Sequence, residues 1–241
     1  SGKPMSDQRH PLSKKTDRQA VDAFLDQVRK TPATLSTGGQ GRLMFALDAT
    51  ASRARTWDQA SDLQAEMFQV AAAQGGLQIQ LAYYRGHQEF ETSPWCRDGK
   101  TLLARMSRVR CRGGLTQIKR LLAHAIKTAR KHRVNALVFI GDCVEEPIDV
   151  LCDLAGQMGL VGTPVFMFQE GNDLAARTAF AEIARLSGGA YCPFDAASAD
   201  QLRDLLRAVA VYAAGGAKAL KAVDDRSNRM AHRLLAQLPG G

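Results

Sequence analysis

Nowhere in its 241 residues does the chain carry eighteen consecutive apolar residues, which excludes a membrane-spanning helix. The first 41 residues hold no apolar stretch of signal-peptide length either. Cysteine is sparse: Cys96, Cys111, Cys143, Cys152 and Cys192 make an odd count, with no C-x-x-C pair and no histidine at zinc-finger spacing. A disulfide framework and a structural zinc finger are both excluded by that pattern. There is no phosphate loop of the form G-x-x-x-x-G-K-[ST], and no G-x-G-x-x-G follows a strand, so nucleotide-dependent chemistry lacks its usual signatures. Together these absences predict a reduced, soluble, cytoplasmic protein.

What is present is ordinary for one globular domain: 45% hydrophobic and 23% charged residues, in a length that fills a single core. The charge is less ordinary. The formal net charge is +8, and it is unevenly spread. Residues 97 to 133 carry twelve Lys and Arg against Asp98 alone, while residues 134 to 176 carry seven acids and no Lys or Arg. On the helix expected after Thr116, Lys119, Arg120, Lys127, Arg130 and Lys131 share one face, and Ile118, Leu121, Leu122, Ala125 and Ala129 another. A solvated helix face, a docking surface for an acidic protein and a track for a phosphate backbone all fit such a stripe. The aromatics that stack single-stranded bases are not interleaved with it.

The hydrophobic rhythm divides the chain into three parts. Residues 1–41 form an arm with one amphipathic helix around Thr16 to Arg29, ending in the break TPATLSTGGQG. Residues 42–214 alternate short apolar runs with helical stretches. The runs are LMFAL ending at Asp48, LQIQLAYY with its hairpin partner HQEFET, ALVFI ending before Asp142, TPVFMF and AYCPF. The helices are expected at about 52–74, 100–109, 117–132, 146–158, 174–186 and 199–212. Strands alternating with helices predict an α/β, mostly parallel sheet covered on both faces. Residues 215–241 form a basic amphipathic tail that packs on the core or binds a partner.

In open α/β sheets ligands bind beyond the carboxyl ends of the strands, where the strand order reverses. Two buried strands end in an acid, Asp48 and Asp142. Thr50 and Ser52 follow the first, and Gly113-Gly114-Leu115-Thr116 sets a further hydroxyl at a helix start. Two carboxylates and three hydroxyls form an all-oxygen set that suits Mg²⁺, with Mn²⁺ as the alternative, and disfavours zinc. Singly, each of these residues is as well explained as a helix cap.

In this order, Asp48-x-Thr50-x-Ser52, Thr116 in GGLT and Asp142 after ALVFIG resemble the von Willebrand factor A domain and its metal-ion-dependent adhesion site, D-x-S-x-S with T and D. The resemblance spans roughly Arg42 to Tyr212 and includes Gly188-Gly189-Ala190-Tyr191, similar to the family's G-G-x-Y. It implies a Rossmann-like three-layer sandwich in which the strand from His87 to Thr92 is a short antiparallel edge. It also implies metal-assisted capture of an acidic residue on a protein partner rather than catalysis, with an AAA+ ATPase of the chelatase or MoxR type as the partner class. Departures are Thr50 for the first serine, Ala51 and Arg53 where many members have Gly and Met, and Cys143 where Gly is common. Arg53, Arg108, Arg110, Arg112, Lys119 and Arg120 are then expected to steer the acidic partner.

Two other classes compete. A nucleic-acid-binding protein would use the basic surface of residues 97–133. A metal-dependent phosphohydrolase would also place an acid after the first strand, but Thr50 stands where the haloacid-dehalogenase pattern needs a second acid. The five histidines, His10, His87, His124, His132 and His232, include none at the strand ends, which leaves nucleophilic catalysis without a base.

Overall fold

The computed structural model describes residues 11–30, 40–72, 75–194, 200, 202–216 and 218–219. Six strands run β1 (Gly41–Asp48), β2 (Leu77–Arg85), β3 (Glu89–Thr92), β4 (Ala136–Gly141), β5 (Val165–Glu170) and β6 (Ala190–Phe194). The helices are α1 (Pro11–Lys30), α2 (Ala54–Ala72), α3 (Gly99–Met106), α4 (Ile118–Lys131), α5 (Ile148–Leu160), α6 (Leu174–Ser187) and α7, residues 202–216. One sheet holds every strand in the order β3-β2-β1-β4-β5-β6. All pairings are parallel except β2 with β3, which forms the antiparallel edge. This is a Rossmann-like three-layer sandwich.

Period-2 side-chain alternation builds the two outer layers. Leu43, Phe45 and Leu47 of β1, with Val138 and Ile140 of β4, face one core that α1, α2, α3 and α7 cover. Met44 and Ala46, with Leu137 and Phe139, face the other, covered by α4, α5 and α6. Because both faces are covered, the central strands read as continuous apolar runs. The N-terminal helix belongs to this packing. Phe24 and Val28 are buried, and the Phe24 ring meets Phe166 and Phe168 edge-on at 6.1 and 5.3 Å. No helix among the described residues is long and apolar enough to cross a membrane. The tail expected over 215–241 lies almost wholly outside the described residues.

Helix ends follow local chemistry. Asp98 caps α3 by accepting the Thr101 N–H at 2.8 Å, and Asp173 caps α6 through the Ala176 N–H at 2.6 Å. The glycine pair after α6 has two separate jobs. Gly188 takes the left-handed conformation, φ 73°, that closes the helix. At Gly189 a Cβ would stand 2.0 Å from the Val165 carbonyl oxygen, so only glycine lets this turn lie against β5. Gly188→Ala should cost about 1–2 kcal/mol for left-handed backbone. Gly189→Ala, which must push backbone aside, should cost about 3 kcal/mol. Urea midpoints of the two variants check the order, which a larger loss at Gly188 would reverse.

Candidate metal centre

β1 and β4 lie side by side in parallel, yet the chain leaves β1 toward β2 on one side and leaves β4 toward β5 on the other. Their carboxyl ends are therefore the point where the strand order reverses, the place such sheets use for ligands. Asp48 is the last residue of β1, and Asp142 follows β4 directly.

Asp48 is buried, 1% exposed. Thr50 N–H donates to its Oδ1 at 2.8 Å, and the buried Tyr84 hydroxyl donates to Oδ2 at 3.2 Å. Burial raises the Asp48 carboxyl above its ordinary range; the Thr50 bonds oppose this, and the charge of Asp142 adds to it. Burial, with the Asp48 carboxylate beside it, also holds the Tyr84 phenol well above its usual value. One carboxylate oxygen from each of Asp48 and Asp142, together with Cys143 Sγ, lie within 4.8 Å of one another. Neighbouring donors in a tetrahedral shell at 2.0–2.3 Å stand about 3.3–3.8 Å apart. The cluster is near that size, and small side-chain movements would close it on one ion. Burial and both carboxylates push the Cys143 thiol up to about 12. Oxygens of two aspartates and a sulfur, converging at one strand-end site, fit a divalent cation.

Thr50 N-caps a tight 3-10 turn, Ala51–Arg53, closed by the Arg53 N–H bonding the Thr50 carbonyl at 3.0 Å. Ser52 sits in this turn, and its side chain lies outside the described ones. Thr116, 6% exposed, is locked to the loop after β4. Its N–H donates to Glu145 Oε2 at 2.8 Å, and its hydroxyl accepts the Glu145 N–H at 3.0 Å. Glu146 takes the first amides of α4, Ile118 N–H at 2.7 Å and Lys119 N–H at 2.8 Å, a carboxylate on a helix N-terminus. The GGLT loop also leans on the β2–β3 turn: a Cβ at Gly114 would stand 2.0 Å from the Gly86 carbonyl oxygen, whereas Gly113 faces open space.

The basic residues divide into two groups. Arg108, Arg110 and Lys119 are exposed, with no side-chain hydrogen bond or ion pair among the described residues. Arg112 pairs with Glu89 at 3.1 Å, and Arg120 donates to the Gln88 carbonyl at 2.6 Å, so both tie the site loop and α4 to the β2–β3 hairpin. Arg53 corrects the sequence expectation. It is 2% exposed, and its guanidinium is ion-paired with Glu170 at the end of β5, which also accepts the Thr56 hydroxyl. A charge expected to face solvent instead points inward and fastens the 3-10 turn to the sheet.

Tyr84, Glu145, Glu146 and Glu170 escaped the sequence reading. Glu170 carried the signal that had singled out Asp142, an acid closing a buried apolar run. The two glutamates stand in the same acidic loop as Asp142. Tyr84, in mid-strand, carried none.

No protein-family profile matches the chain, and no curated protein matches it in sequence. Solved structures do match in fold. The SpRpn10 VWA domain aligns at TM-score 0.55 and 16% identity, over 69% of this chain and 94% of that one. Proximal thread matrix protein 1 from the mussel byssus, in a form with a zinc-occupied MIDAS motif, aligns at TM-score 0.54 and 15% identity, over 73% and 49%. The PilB minor pilin from Streptococcus sanguinis aligns at TM-score 0.52 and 10% identity, over 73% and 62%. The chain thus spans the first almost whole and about half to two thirds of the other two. A six-stranded sheet in this order with acids at the β1 and β4 ends, and these neighbours, give the chain a von Willebrand factor A fold.

Proposed function

We propose that residues 42–214 form a metal-dependent protein-interaction module of a cytoplasmic adaptor, and that α1 and the basic tail are its appendages. The observation that carries this reading is the convergence of Asp48 and Asp142 at the strand-order reversal. Asp48, Thr50, Ser52, Thr116 and Asp142 would hold a divalent ion, Mg²⁺ or Mn²⁺. The bound ion would supply an electrophilic position for a partner's carboxylate. Zinc at the corresponding motif of the byssus protein supports a divalent occupant.

Exposed Arg108, Arg110 and Lys119 would draw in an acidic partner, an effect on association rate that salt screens. An AAA+ ATPase is the partner class that the resemblance to the von Willebrand factor A family implies. In a titration of the full chain with Mn²⁺, one ion should bind per chain, and affinity purification in Mg²⁺ should recover an ATPase that is absent in EDTA. Recovery of the same partner in EDTA would remove the metal bridge from the reading.

A second reading, nucleic-acid binding, is favoured by one observation: Lys119, Lys127, Arg130 and Lys131 on the outer face of α4 are all exposed. Duplex binding with a steep salt dependence that Asp48→Asn leaves unchanged would support it.

A further inference from the structure

We propose that the metal at the β1/β4 edge is ligated by sulfur as well as oxygen, with Cys143 Sγ joining the Asp48 and Asp142 carboxylates, so that the site selects zinc over magnesium. The inference rests on the metal-site reading above and changes its all-oxygen donor set.

Cys143 Sγ belongs to the same 4.8 Å cluster as the two carboxylates. Cys143 is only half-buried and faces carboxylates, and its thiol hydrogen-bonds Asp142. The thiol proton thus occupies the place between sulfur and carboxylate that a shared cation would take. Its backbone is also constrained on both sides. Gly141 closes β4 before it, and Glu145 and Glu146 after it are anchored to Thr116 and to the start of α4. Asp48 has the outer hydrogen bonds that orient a metal-bound carboxylate, from Thr50 on one oxygen and Tyr84 on the other.

Three converging groups that become anionic on metal binding need a cation among them. The neighbouring Arg53, ion-paired with Glu170, is the smallest of the influences acting on Asp48. Zinc accepts carboxylate and thiolate together in a four-coordinate shell, with a short Zn–S bond near 2.3 Å. Magnesium demands six hard oxygens and rejects sulfur. On binding, the ion takes the place of the thiol proton, which leaves to solvent, and the local charge that had favoured the thiol is reversed. Three protein ligands leave one position of a tetrahedral ion for an outside donor. Since those three anionic ligands more than neutralise zinc, an incoming carboxylate is held less firmly than on magnesium, and zinc loading should weaken capture of an acidic partner.

The test uses the full chain and three variants, Cys143→Ser, Cys143→Gly and Asp48→Asn, each checked for native circular dichroism. Calorimetric titration with Zn²⁺ and Mg²⁺ should give a zinc affinity at least about 100-fold the higher. Loading with Co²⁺ should give a thiolate-to-cobalt charge-transfer absorption in the near ultraviolet. Both cysteine variants should lose that absorption and about 10- to 100-fold in zinc affinity, with magnesium binding little changed. Cobalt binding without the charge-transfer band, or unaltered zinc affinity in the cysteine variants, overturns the sulfur ligand. If Asp48→Asn still loses metal in that case, the oxygen site stands and only the sulfur is removed. If wild type and Asp48→Asn take up zinc alike, the metal-site reading falls and the inference with it.

Discussion

Asp48→Asn should abolish metal binding and raise the melting temperature of the metal-free protein. The two effects have one cause. Asp48 is buried at the end of β1, beside Asp142, and its charge is opposed by desolvation and by that second carboxylate. Without an ion the folded state offsets this cost only through the Thr50 hydrogen bonds and, to a smaller extent, the Arg53 charge. Asparagine keeps the shape and both hydrogen bonds. Its carbonyl oxygen can accept the Thr50 N–H, and its amide can donate to the Tyr84 hydroxyl, which then acts as acceptor. The buried charge disappears, and the Tyr84 hydroxyl proton, which loses its acceptor, is the smaller cost. A dication loses an anionic ligand in the same step. At free metal about 100 times its dissociation constant, wild type should gain about 2.7 kcal/mol. That is about 5–10 °C in a domain of this size, and the variant should gain nothing. Thermal melts with and without metal read both effects. A metal-free variant that melts below wild type would show that Thr50 and Tyr84 alone solvate the carboxylate adequately.

The architecture was legible in the sequence because it rests on local signals. Apolar runs of strand length, each followed by an amphipathic stretch, leave few alternatives to a covered parallel sheet. Asp48 and Asp142 stood out for a related reason: a carboxylate that directly ends a buried strand has only the sheet edge to occupy. Element ends were less legible because tertiary partners set them. The helix expected from Ser52 begins as α2 at Ala54, since the Thr50 carbonyl and Arg53 amide close a 3-10 turn first. The one expected from Glu146 begins as α5 at Ile148, because the Glu146 side chain caps α4 and Pro147 follows it. The N-terminal helix runs from Pro11 to Lys30 rather than over residues 16–29, with proline, which tolerates a first turn, at its start.

Side-chain direction was not legible. A sequence marks an arginine beside a metal motif as a charge near the site without revealing which way it points. Arg53 points inward because Glu170 ends β5 within its reach. Nor does spacing reveal that Arg112 and Arg120 hold the edge hairpin while Arg108, Arg110 and Lys119 face solvent. Cys143 shows the same gap. As the residue after Asp142 it reads as a small substitute for glycine, and only the fold returns its sulfur to Asp48, 95 positions earlier in the chain.

Removing Glu170 should be among the most damaging single changes in the molecule. Its carboxylate is the ion-pair partner of Arg53, whose side chain is 3% exposed, and it also accepts the Thr56 hydroxyl. Glu170→Ala strands a guanidinium in the interior. Two of its nitrogens, Nε and Nη2, already lack a hydrogen-bond partner among the described residues. Breaking one side of a buried pair costs about 3–5 kcal/mol, or roughly 6–20 °C in melting temperature for this size of domain. Replacing both partners with apolar residues of similar volume, Arg53→Met with Glu170→Leu, removes the uncompensated charge and should recover most of the loss. The pair has a second consequence because it fastens the 3-10 turn carrying Thr50 and Ser52 to the end of β5. The double variant should therefore regain stability but not metal affinity. Denaturation midpoints and metal titrations of the single and double variants separate the two contributions. Full recovery of metal binding in the double variant would show that the turn keeps its shape without the ion pair.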